Sequence, residues 1–223
     1  MRSSPSVDTG LLRRHVAGEL LRIEAVTLSP EKPFTWASGL KAPIYCDNRL
    51  TMAYPAVRRA LTEGFIAHLH AHSLQPAVIV GTATAGIPHA AWLADRLDLP
   101  MAYVRSKPKT HGRGNQIEGR LMPGQPVVVV EDLVSTGMSS MKVVEAVREQ
   151  AGADILALLA IFAYGLAGVA DRFAETGLPF YTLSDFDALT AVAFEQNKLS
   201  EDDLQSLKAW QQDPQAWSAA HQG

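Results

Sequence analysis

The stretch VVVVEDLVSTGMSS (127–140) runs from four valines into two acids and then into a loop of small and hydroxyl-bearing residues. Four consecutive β-branched residues without polar alternation predict a strand that is buried on both faces of a sheet. In open parallel sheets, ligands bind beyond the carboxyl ends of the strands. We expect the strand to end on Glu131 and Asp132, and the functional site to lie there.

The rest of the chain alternates between strand-like and helix-like patterns. Apolar runs begin near residues 77, 101, 127 and 155. Helical spacing of apolar residues predicts helices over about 9–27, 55–72, 90–97 and 139–150, with a closing helix in the tail. Together these predict an α/β fold whose central, mostly parallel sheet is flanked by helices. Residues 33–50 carry prolines, aromatic residues and Ser-Gly, which predict short strands or a hairpin.

Composition excludes several classes of protein. The 223 residues are 47% hydrophobic and carry a net charge of −3, which indicates a globular chain without a bulk nucleic-acid or membrane surface. Cys46 is the single cysteine, so no intramolecular disulfide can form. No secretory signal follows the N-terminus, and the longest apolar run (155–170) is shorter than the ~18–20 residues of a membrane span. We expect a cytoplasmic protein.

The segment behind the acids has the features of a phosphate site. Residues 135–139 (STGMS) precede a predicted helix, so backbone N–H groups and the positive end of the helix converge there. Two carboxylates would repel a second phosphate but accept hydrogen bonds from vicinal hydroxyls, so the simplest ligand is a sugar 5-phosphate. The alternative is an ordinary turn in which Ser135 caps the helix. That alternative explains each feature alone but not their combination.

Four segments carry a resemblance to a known family. VVVVEDLVSTGMSS resembles the phosphoribosyl diphosphate signature of type I phosphoribosyltransferases, and GTATAGIP (81–88) resembles their pyrophosphate loop. YVRSKPKTHGRG (103–114) is similar to the mobile catalytic loop of orotate phosphoribosyltransferases, with the spacing R-x3-K-x-H. FTWASGLKAPIYCDNRL (34–50) resembles the hood that closes over the orotate ring. By this resemblance the chain is identified as a member of the orotate phosphoribosyltransferases.

The resemblance implies the type I phosphoribosyltransferase fold with a small N-terminal hood and a mobile catalytic loop. We expect a single domain over residues 1–223. Its parts are a hood at about 30–50, a core at about 55–185, a mobile loop at about 105–120 and a helical tail at about 186–223. The mobile loop carries six basic or histidine side chains against one acid, Glu118, which suits a lid over an anionic substrate.

The implied activity is transfer of ribose 5-phosphate from phosphoribosyl diphosphate to orotate, giving orotidine 5′-monophosphate and pyrophosphate in pyrimidine (UMP) biosynthesis. The resemblance also implies Mg²⁺ held mainly through substrate and water oxygens, with no all-protein metal site. It further implies a homodimer in which the mobile loop is shared across subunits. No nucleic-acid or membrane partner is expected.

The resemblance assigns roles to individual residues. Lys109, His111 and Asp132 are the expected catalytic residues, and Ser38, Gly39, Lys41 and Ser135 are expected to contact orotate. The expected contacts to phosphoribosyl diphosphate are Thr82, Ala83, Arg105, Lys109, His111, Glu131, Asp132, Leu133, Val134, Ser135, Thr136, Gly137, Met138 and Ser139.

Two alternatives stay open at the level of sequence. The first is a phosphoribosyltransferase for a purine or for uracil, against which only the hood segment argues. The second is a non-catalytic phosphoribosyl diphosphate sensor, against which the R-x3-K-x-H spacing argues. The chain also departs from some family members, which carry basic residues where this chain has Ala37, Ala85 and Ser106.

Overall fold

The structure is a computed structural model that describes residues 9–107 and 115–222. Within these residues the strands are β1 (Val26–Leu28), β2 (Phe34–Thr35), β3 (Lys41–Ala42), β4 (Ile44–Cys46), β5 (Val78–Thr82), β6 (Met101–Val104), β7 (Ile117–Glu118), β8 (Pro126–Val134), β9 (Asp154–Ala163) and β10 (Phe180–Asp185). The α-helices are α1 (Thr9–Arg22), α2 (Pro55–Ala71), α3 (Gly86–Leu97), α4 (Met138–Ala146), α5 (Val169–Glu175), α6 (Phe186–Glu195), α7 (Glu201–Gln212) and α8 (Pro214–Ala220). A 3-10 helix covers Asn48–Ala53, and a π-helical turn covers Val147–Ala151.

The central sheet has six strands in the order β10-β9-β8-β5-β6-β7. Neighbouring strands run parallel except for the β6–β7 pair. The predicted mostly parallel sheet with flanking helices is therefore confirmed. From β5 the chain moves one way to β6 and then crosses to β8 on the other side of β5. That reversal creates a crevice at the carboxyl ends of β5 and β8, which is where open sheets bind ligands.

The four valines behave as the sequence predicted. Val127, Val128, Val129 and Val130 are each 0% exposed, in a strand with neighbours on both sides. Because side chains alternate along a strand, the four valines divide between two cores. Val128 and Val130 join the core that contains residues of α1, α2, α3, α6 and α7, and Val127 and Val129 join the core that contains residues of α4. Burial on both faces fixes the strand firmly and so fixes the loop behind it.

The prediction that the strand ends on the acids was wrong. β8 continues to Val134, with Glu131 opposite Ala160 and Leu133 opposite Phe162 of β9. The reason is that β9 extends as far as Ala163 and supplies backbone partners for the additional residues. The acids therefore belong to the hydrogen-bonded ladder, and the loop begins at Ser135.

Helix boundaries differ from the predictions at three places. α1 ends at Arg22 instead of near 27, because residues 26–28 pair with β4 as an antiparallel strand. α3 begins at Gly86 instead of 90, and α4 gives way to a π-helical turn after Ala146. α2 and the β2–β3 hairpin agree with their predictions. Within residues 9–107 and 115–222, none of the helices combines the length and the apolar character that crossing a bilayer demands.

Gly86 allows α3 to start directly against β8. A Cβ atom at this position would lie 2.6 Å from the carbonyl oxygen of Val130, which is closer than real contacts allow. The absence of a side chain therefore lets the first turn of α3 approach the strand immediately before Glu131. This close approach brings the loop after β5 next to the end of β8.

The C-terminal helices hold the hood hairpin formed by β2 and β3. The indole of Trp36 stacks on Tyr164 at a centroid distance of 5.4 Å and meets Trp210 of α7 edge-on at 5.7 Å. The N–H of Lys41 donates a hydrogen bond of 2.9 Å to the hydroxyl of Ser218 in α8. The tail is thus a structural support of the hood, a role that its helical periodicity did not indicate.

Candidate active site

The carboxyl group of Glu131 is bound from two sides of the crevice, by the last residue of β5 and by the first turn of α4. The hydroxyl of Thr82 donates to Oε1 of Glu131 at 2.6 Å, and the backbone N–H of Asp132 donates to the same oxygen at 3.0 Å. From α4, Ser140 Oγ donates to Oε2 at 3.4 Å. Glu131 is only 6% exposed, so these contacts fix its direction within the sheet.

Burial changes the ionisation of both acids. Burial, together with a hydrogen bond to Asp132 and the charge of that neighbour, raises the pKa of Glu131 to about 8, although hydrogen bonds from Thr82 and from the backbone of Asp132 act in the opposite direction. Burial also raises the pKa of Asp132, against hydrogen bonds from Glu131 and backbone N–H groups and the charge of Arg49. Two buried carboxyls this close favour sharing a proton. Donors or cations brought by a ligand would favour the fully ionised pair.

Residues 135–139 form a tight turn into α4. Gly137 has φ +77°, a left-handed conformation that favours glycine, and α4 begins at the next residue. Helix α5 supports the turn, since Arg172 donates to the carbonyl oxygen of Thr136 and the ring of Phe173 lies 3.3 Å from where a Cβ of Gly137 would be. The backbone N–H groups at the start of α4 are therefore presented in a fixed geometry suited to an anion.

One cavity, of about 250 Å³, lies between the two loops. It brings together five of the predicted contacts, namely Thr82, Ala83, Arg105, Glu131 and Ser139. Ser106, Gln116, Lys142 and Val143 complete its lining. Ser139 of the predicted phosphate loop and Thr82 and Ala83 of the predicted pyrophosphate loop thus line one cavity.

The described residues on either side of 108–114 are hydrogen-bonded to each other at this cavity. The N–H of Arg105 donates to the carbonyl oxygen of Gln116 at 2.9 Å, and the guanidinium lies 3.7 Å from a carboxylate oxygen of Glu118. Two of the predicted catalytic residues, Lys109 and His111, lie outside the described residues. Their roles remain predictions.

Sequence reasoning missed Lys142, a cation in the wall of this cavity. Lys142 follows Ser139 by three residues on α4, and the two side chains line the same cavity. Residues three apart on a helix share a face, so the spacing contained the signal. Lys142 adds a positive charge to a cavity in whose lining Arg105 is followed by an uncharged residue, Ser106.

A second cavity, of about 370 Å³, opens beside the hood. Its lining is mainly aromatic and apolar and consists of Thr35, Trp36, Ala37, Tyr45, Cys46, Leu133, Ser135 and Tyr164. Leu133 and Ser135, two of the predicted contacts, are among these residues. Flat aromatic walls with a few polar groups suit a planar heterocycle.

The other predicted orotate contacts sit outside this lining. Ser38 and Gly39 form the exposed tip of the hood hairpin, and the backbone of Lys41 is bound to Ser218. Tyr45 and Tyr164 line the cavity without having been predicted. The aromatic residue at the carboxyl end of β9 was the available signal for Tyr164, because it occupies the same edge of the sheet as the acids.

The remaining phosphate-loop residues have different surroundings. Val134 is 1% exposed, so its side chain belongs to the core and only its backbone can face a ligand. Thr136 and Met138 are exposed. A larger cavity of about 890 Å³ lies between α1 and α6, but residues of neither loop line it. We therefore place the candidate site at the two smaller cavities.

No group of three or more metal-ligating side chains occurs within residues 9–107 and 115–222. Glu131 and Asp132 are the acids that the structure places at the crevice, and both are already engaged with neighbouring groups. A hard cation at this position would draw its remaining ligands from substrate oxygens and water.

Comparison with known proteins agrees with this geometry. Residues 56–172 match the family model described as the phosphoribosyl transferase domain. The orotate phosphoribosyltransferase of Bacillus pumilus is 54% identical over 207 residues, which cover 93% of this chain and 97% of that protein. The orotate phosphoribosyltransferase of Staphylococcus aureus is 54% identical over 199 residues, covering 89% of this chain and 98% of that protein.

Solved structures give the same result. The crystal structure of orotate phosphoribosyltransferase from Aeropyrum pernix superposes with a TM-score of 0.68 at 27% identity and covers 83% of this chain and 99% of that chain. The UMP synthase of Leishmania donovani reaches a TM-score of 0.75 at 24% identity, covering 89% of this chain and 42% of that chain, and supports the fold alone.

The mostly parallel sheet, the match of residues 56–172 to the phosphoribosyl transferase domain and the superposition on a solved relative show that the chain has a type I phosphoribosyltransferase domain. Identity above one half over nearly the whole chain narrows the class, and the protein belongs to the orotate phosphoribosyltransferase family.

The raised pKa of Glu131 predicts how pH affects the stability of the ligand-free protein. Between pH 4.5 and about pH 8, the native state keeps a proton on Glu131 that the unfolded chain has released. Over this range the native state therefore binds more protons than the unfolded state. Stability falls with pH wherever the native state binds more protons. The free energy of unfolding of the wild type, relative to Glu131→Gln, should therefore decrease across this range.

Urea unfolding of both proteins at several pH values checks this expectation. Glu175→Gln, which changes an exposed glutamate on α5, is the matched control and should follow the wild type. Parallel curves for the wild type and Glu131→Gln would show that this carboxyl ionises normally in the folded protein.

Proposed function

We propose that the protein transfers ribose 5-phosphate from phosphoribosyl diphosphate to N1 of orotate. The observation that carries this proposal is that the end of β5 and the first turn of α4 both bind the buried Glu131, beside Asp132, at the switch point of the sheet. An aromatic cavity beside that pair provides room for a base. The proposal agrees with the names of the relatives that match nearly the whole chain.

In this reaction the bond between C1′ and the pyrophosphate oxygen breaks, and the electron pair leaves with the pyrophosphate. A lone pair on N1 of orotate forms the new bond to C1′. Positive charge develops on the sugar and negative charge on the leaving group. Groups that interact with these charges in the transition state, and not in the bound substrate, lower the barrier more than they tighten substrate binding.

We assign the sugar and its phosphate to β8 and the turn behind it. Glu131 and Asp132 accept hydrogen bonds from the 2′ and 3′ hydroxyls, and their negative charge faces the developing positive charge at C1′. The turn 135–139 binds the 5′-phosphate through backbone N–H groups and hydroxyls. In the ligand-free protein the two carboxyl groups share a proton. When the diol binds, its hydroxyl groups take the place of that proton.

We assign the pyrophosphate to the cavity of about 250 Å³. Thr82 and Ala83 present the loop after β5, while Arg105 and Lys142 contribute positive charge from its wall. Lys109 and His111 would arrive from the mobile loop as it closes. The flexible stem and compact charge of a lysine suit a group that follows the departing pyrophosphate.

The base is assigned to the cavity beside the hood, between Tyr45, Tyr164 and Ser135. Stacking on aromatic rings orients a flat pyrimidine without specifying which one it is. Ser38, Gly39 and Lys41 would contact the base only if the hood tip moves toward the cavity. Mg²⁺, when bound, would take most of its ligands from substrate and water oxygens and would neutralise negative charge on the substrate.

We further propose a homodimer whose mobile loops are shared between subunits. Large apolar side chains are exposed at four positions within residues 45–54, namely Tyr45, Leu50, Met52 and Tyr54. An exposed apolar cluster of this kind favours contact with another protein surface. The cytoplasmic location stays a prediction from the sequence.

A panel of bases tests the proposed function directly. The protein is incubated with Mg²⁺ and phosphoribosyl diphosphate and is offered orotate, uracil, hypoxanthine or adenine, while nucleotide and pyrophosphate are measured. We expect turnover with orotate alone. Turnover of a purine or uracil instead would overturn the base assignment, and binding without turnover of any base would favour a sensor.

The assignment of Lys109 predicts a kinetic effect without loss of folding. Lys109→Ala should lower kcat by about 10²–10³, the usual cost of losing one group that stabilises transition-state charge. Lys107→Ala, which removes an exposed lysine two residues earlier on the same loop, is the matched control and should change kcat far less. Equal rates for the two variants would remove Lys109 from the mechanism.

A further inference from the structure

A chain of buried polar side chains connects the 3-10 helix that follows β4 to α3 on one side and to β8 on the other. It consists of Asn48 and Thr51 in the 3-10 helix and His89 in α3, which are 1%, 0% and 2% exposed. Asn48 comes two residues after Cys46, which lines the cavity beside the hood. His89 lies four residues after Ala85, in the first turn of the helix that follows the loop after β5.

Each hydrogen bond in this chain has a defined direction. The hydroxyl of Thr51 donates to the carbonyl oxygen of Asn48 at 2.5 Å. Because the hydroxyl of Thr51 uses its single hydrogen in that bond, its oxygen can only accept, and it accepts a hydrogen bond of 3.2 Å from the N–H at Nε2 of His89. The side-chain amide of Asn48 donates to the backbone oxygen of Asp132 at 2.6 Å. The chain therefore runs from α3, through the 3-10 helix, to the acid pair on β8.

The surroundings of His89 keep its ring neutral, as the hydrogen bond from His89 to Thr51 requires. The imidazole meets the ring of Trp92 edge-on at 5.2 Å. Burial lowers the pKa of His89 to about 4, so the ring is neutral and carries one hydrogen. With that hydrogen on Nε2, the ring donates to Thr51 and leaves Nδ1 without a proton.

Two atoms of the chain are buried without a hydrogen-bond partner among the described residues, Oδ1 of Asn48 and Nδ1 of His89. Leaving such atoms unpaired costs stability, and apolar side chains of similar shape would avoid that cost. A polar chain that is suboptimal for stability points to a purpose at the site. Its end point, the backbone of Asp132, identifies that purpose.

We propose that Asn48, Thr51 and His89 are positioning residues that hold the backbone of Asp132 in place relative to the hood and the pyrophosphate loop. This inference rests on the proposed function, since the carboxylates so positioned are those assigned to the ribose hydroxyls. None of the three side chains touches substrate in this assignment. They act through Asp132.

The expected signature is kinetic. Misplacing a reacting group by a fraction of an ångström to about one ångström costs catalysis far more than it costs folding. Thr51→Val keeps the shape of the side chain but breaks both of its hydrogen bonds. It should lower kcat/KM for phosphoribosyl diphosphate by about tenfold or more, with a smaller change in KM for orotate. Thr51→Ser restores the hydroxyl and should recover most of the activity.

Thr190→Val is the matched control for removing a buried hydroxyl. Thr190 is 3% exposed and donates to the carbonyl oxygen of Phe186 within α6, away from both loops. We expect this variant to lower Tm comparably to Thr51→Val while leaving kcat/KM at the wild-type value. Equal kinetic losses in the two valine variants would reduce Thr51 to a structural role and overturn the proposal.

A second pair of variants keeps the test decisive if Thr51→Val fails to fold. His89→Leu removes the donor at the other end of the chain, and His89→Gln supplies an N–H in its place. We expect the leucine variant to lose kcat/KM and the glutamine variant to regain part of it. A leucine variant with wild-type kinetics would overturn the proposal.

Measuring the affinity for phosphoribosyl diphosphate by calorimetry separates this inference from the proposed function. If the wild type makes no orotidine 5′-monophosphate, the proposed function fails. The inference is then judged by whether Thr51→Val, but not Thr51→Ser or Thr190→Val, weakens the binding of phosphoribosyl diphosphate. Unchanged binding in Thr51→Val would in that case overturn it.

Discussion

The structure depends on the burial of a carboxylate inside a parallel sheet. Glu131 lies within the hydrogen-bonded ladder between β8 and β9, and it is buried. An isolated buried charge of this kind would be too costly. Hydroxyls from the end of β5 and from α4 bind the carboxyl group, and its pKa is raised. The segments that flank the crevice are thus bound to the same side chain, in addition to the pairing of β5 with β8.

The switch in strand order explains why those two loops meet. β5 and β8 are neighbours in space although β6 and β7 separate them along the chain. Their parallel carboxyl ends face the same side, and Gly86 lets α3 begin close against β8. The hood is then added from the other end of the sequence and is held by Trp210 and Ser218 of the tail. A site at this crevice therefore draws on nearly the whole chain.

The sequence predicted local features more reliably than contacts between distant segments. Four valines indicated a central strand because burial on both faces needs no information beyond the pattern itself. The continuation of β8 through Glu131 and Asp132 could not be predicted, because it depends on how far β9 extends beside it. Likewise, the pairing of residues 26–28 with β4 shortened α1, although nothing in the helical spacing of α1 announced a competing strand.

The residues of the candidate site also divide into those that the sequence predicted and those that it did not. The loop residues Thr82, Ala83 and Ser139 were found from short motifs, and the structure places them in one cavity. Lys142 and Tyr164 were missed although each had a local signal: Lys142 follows Ser139 by three residues on α4, and Tyr164 follows the carboxyl end of β9. The hydrogen-bonded chain from His89 to Asp132 could not be predicted from the sequence either. Thr51 and His89 are 38 positions apart, and Asn48 and Asp132 are 84 positions apart.

The central claim is that the turn 135–139 binds the 5′-phosphate of a pentose whose hydroxyls meet Glu131 and Asp132. A crystal structure of the protein with orotidine 5′-monophosphate tests it most directly. The account predicts the phosphate at the backbone N–H groups of the turn, the diol at the acid pair and the pyrimidine beside Tyr164. A nucleotide bound elsewhere, with the turn empty, would contradict it.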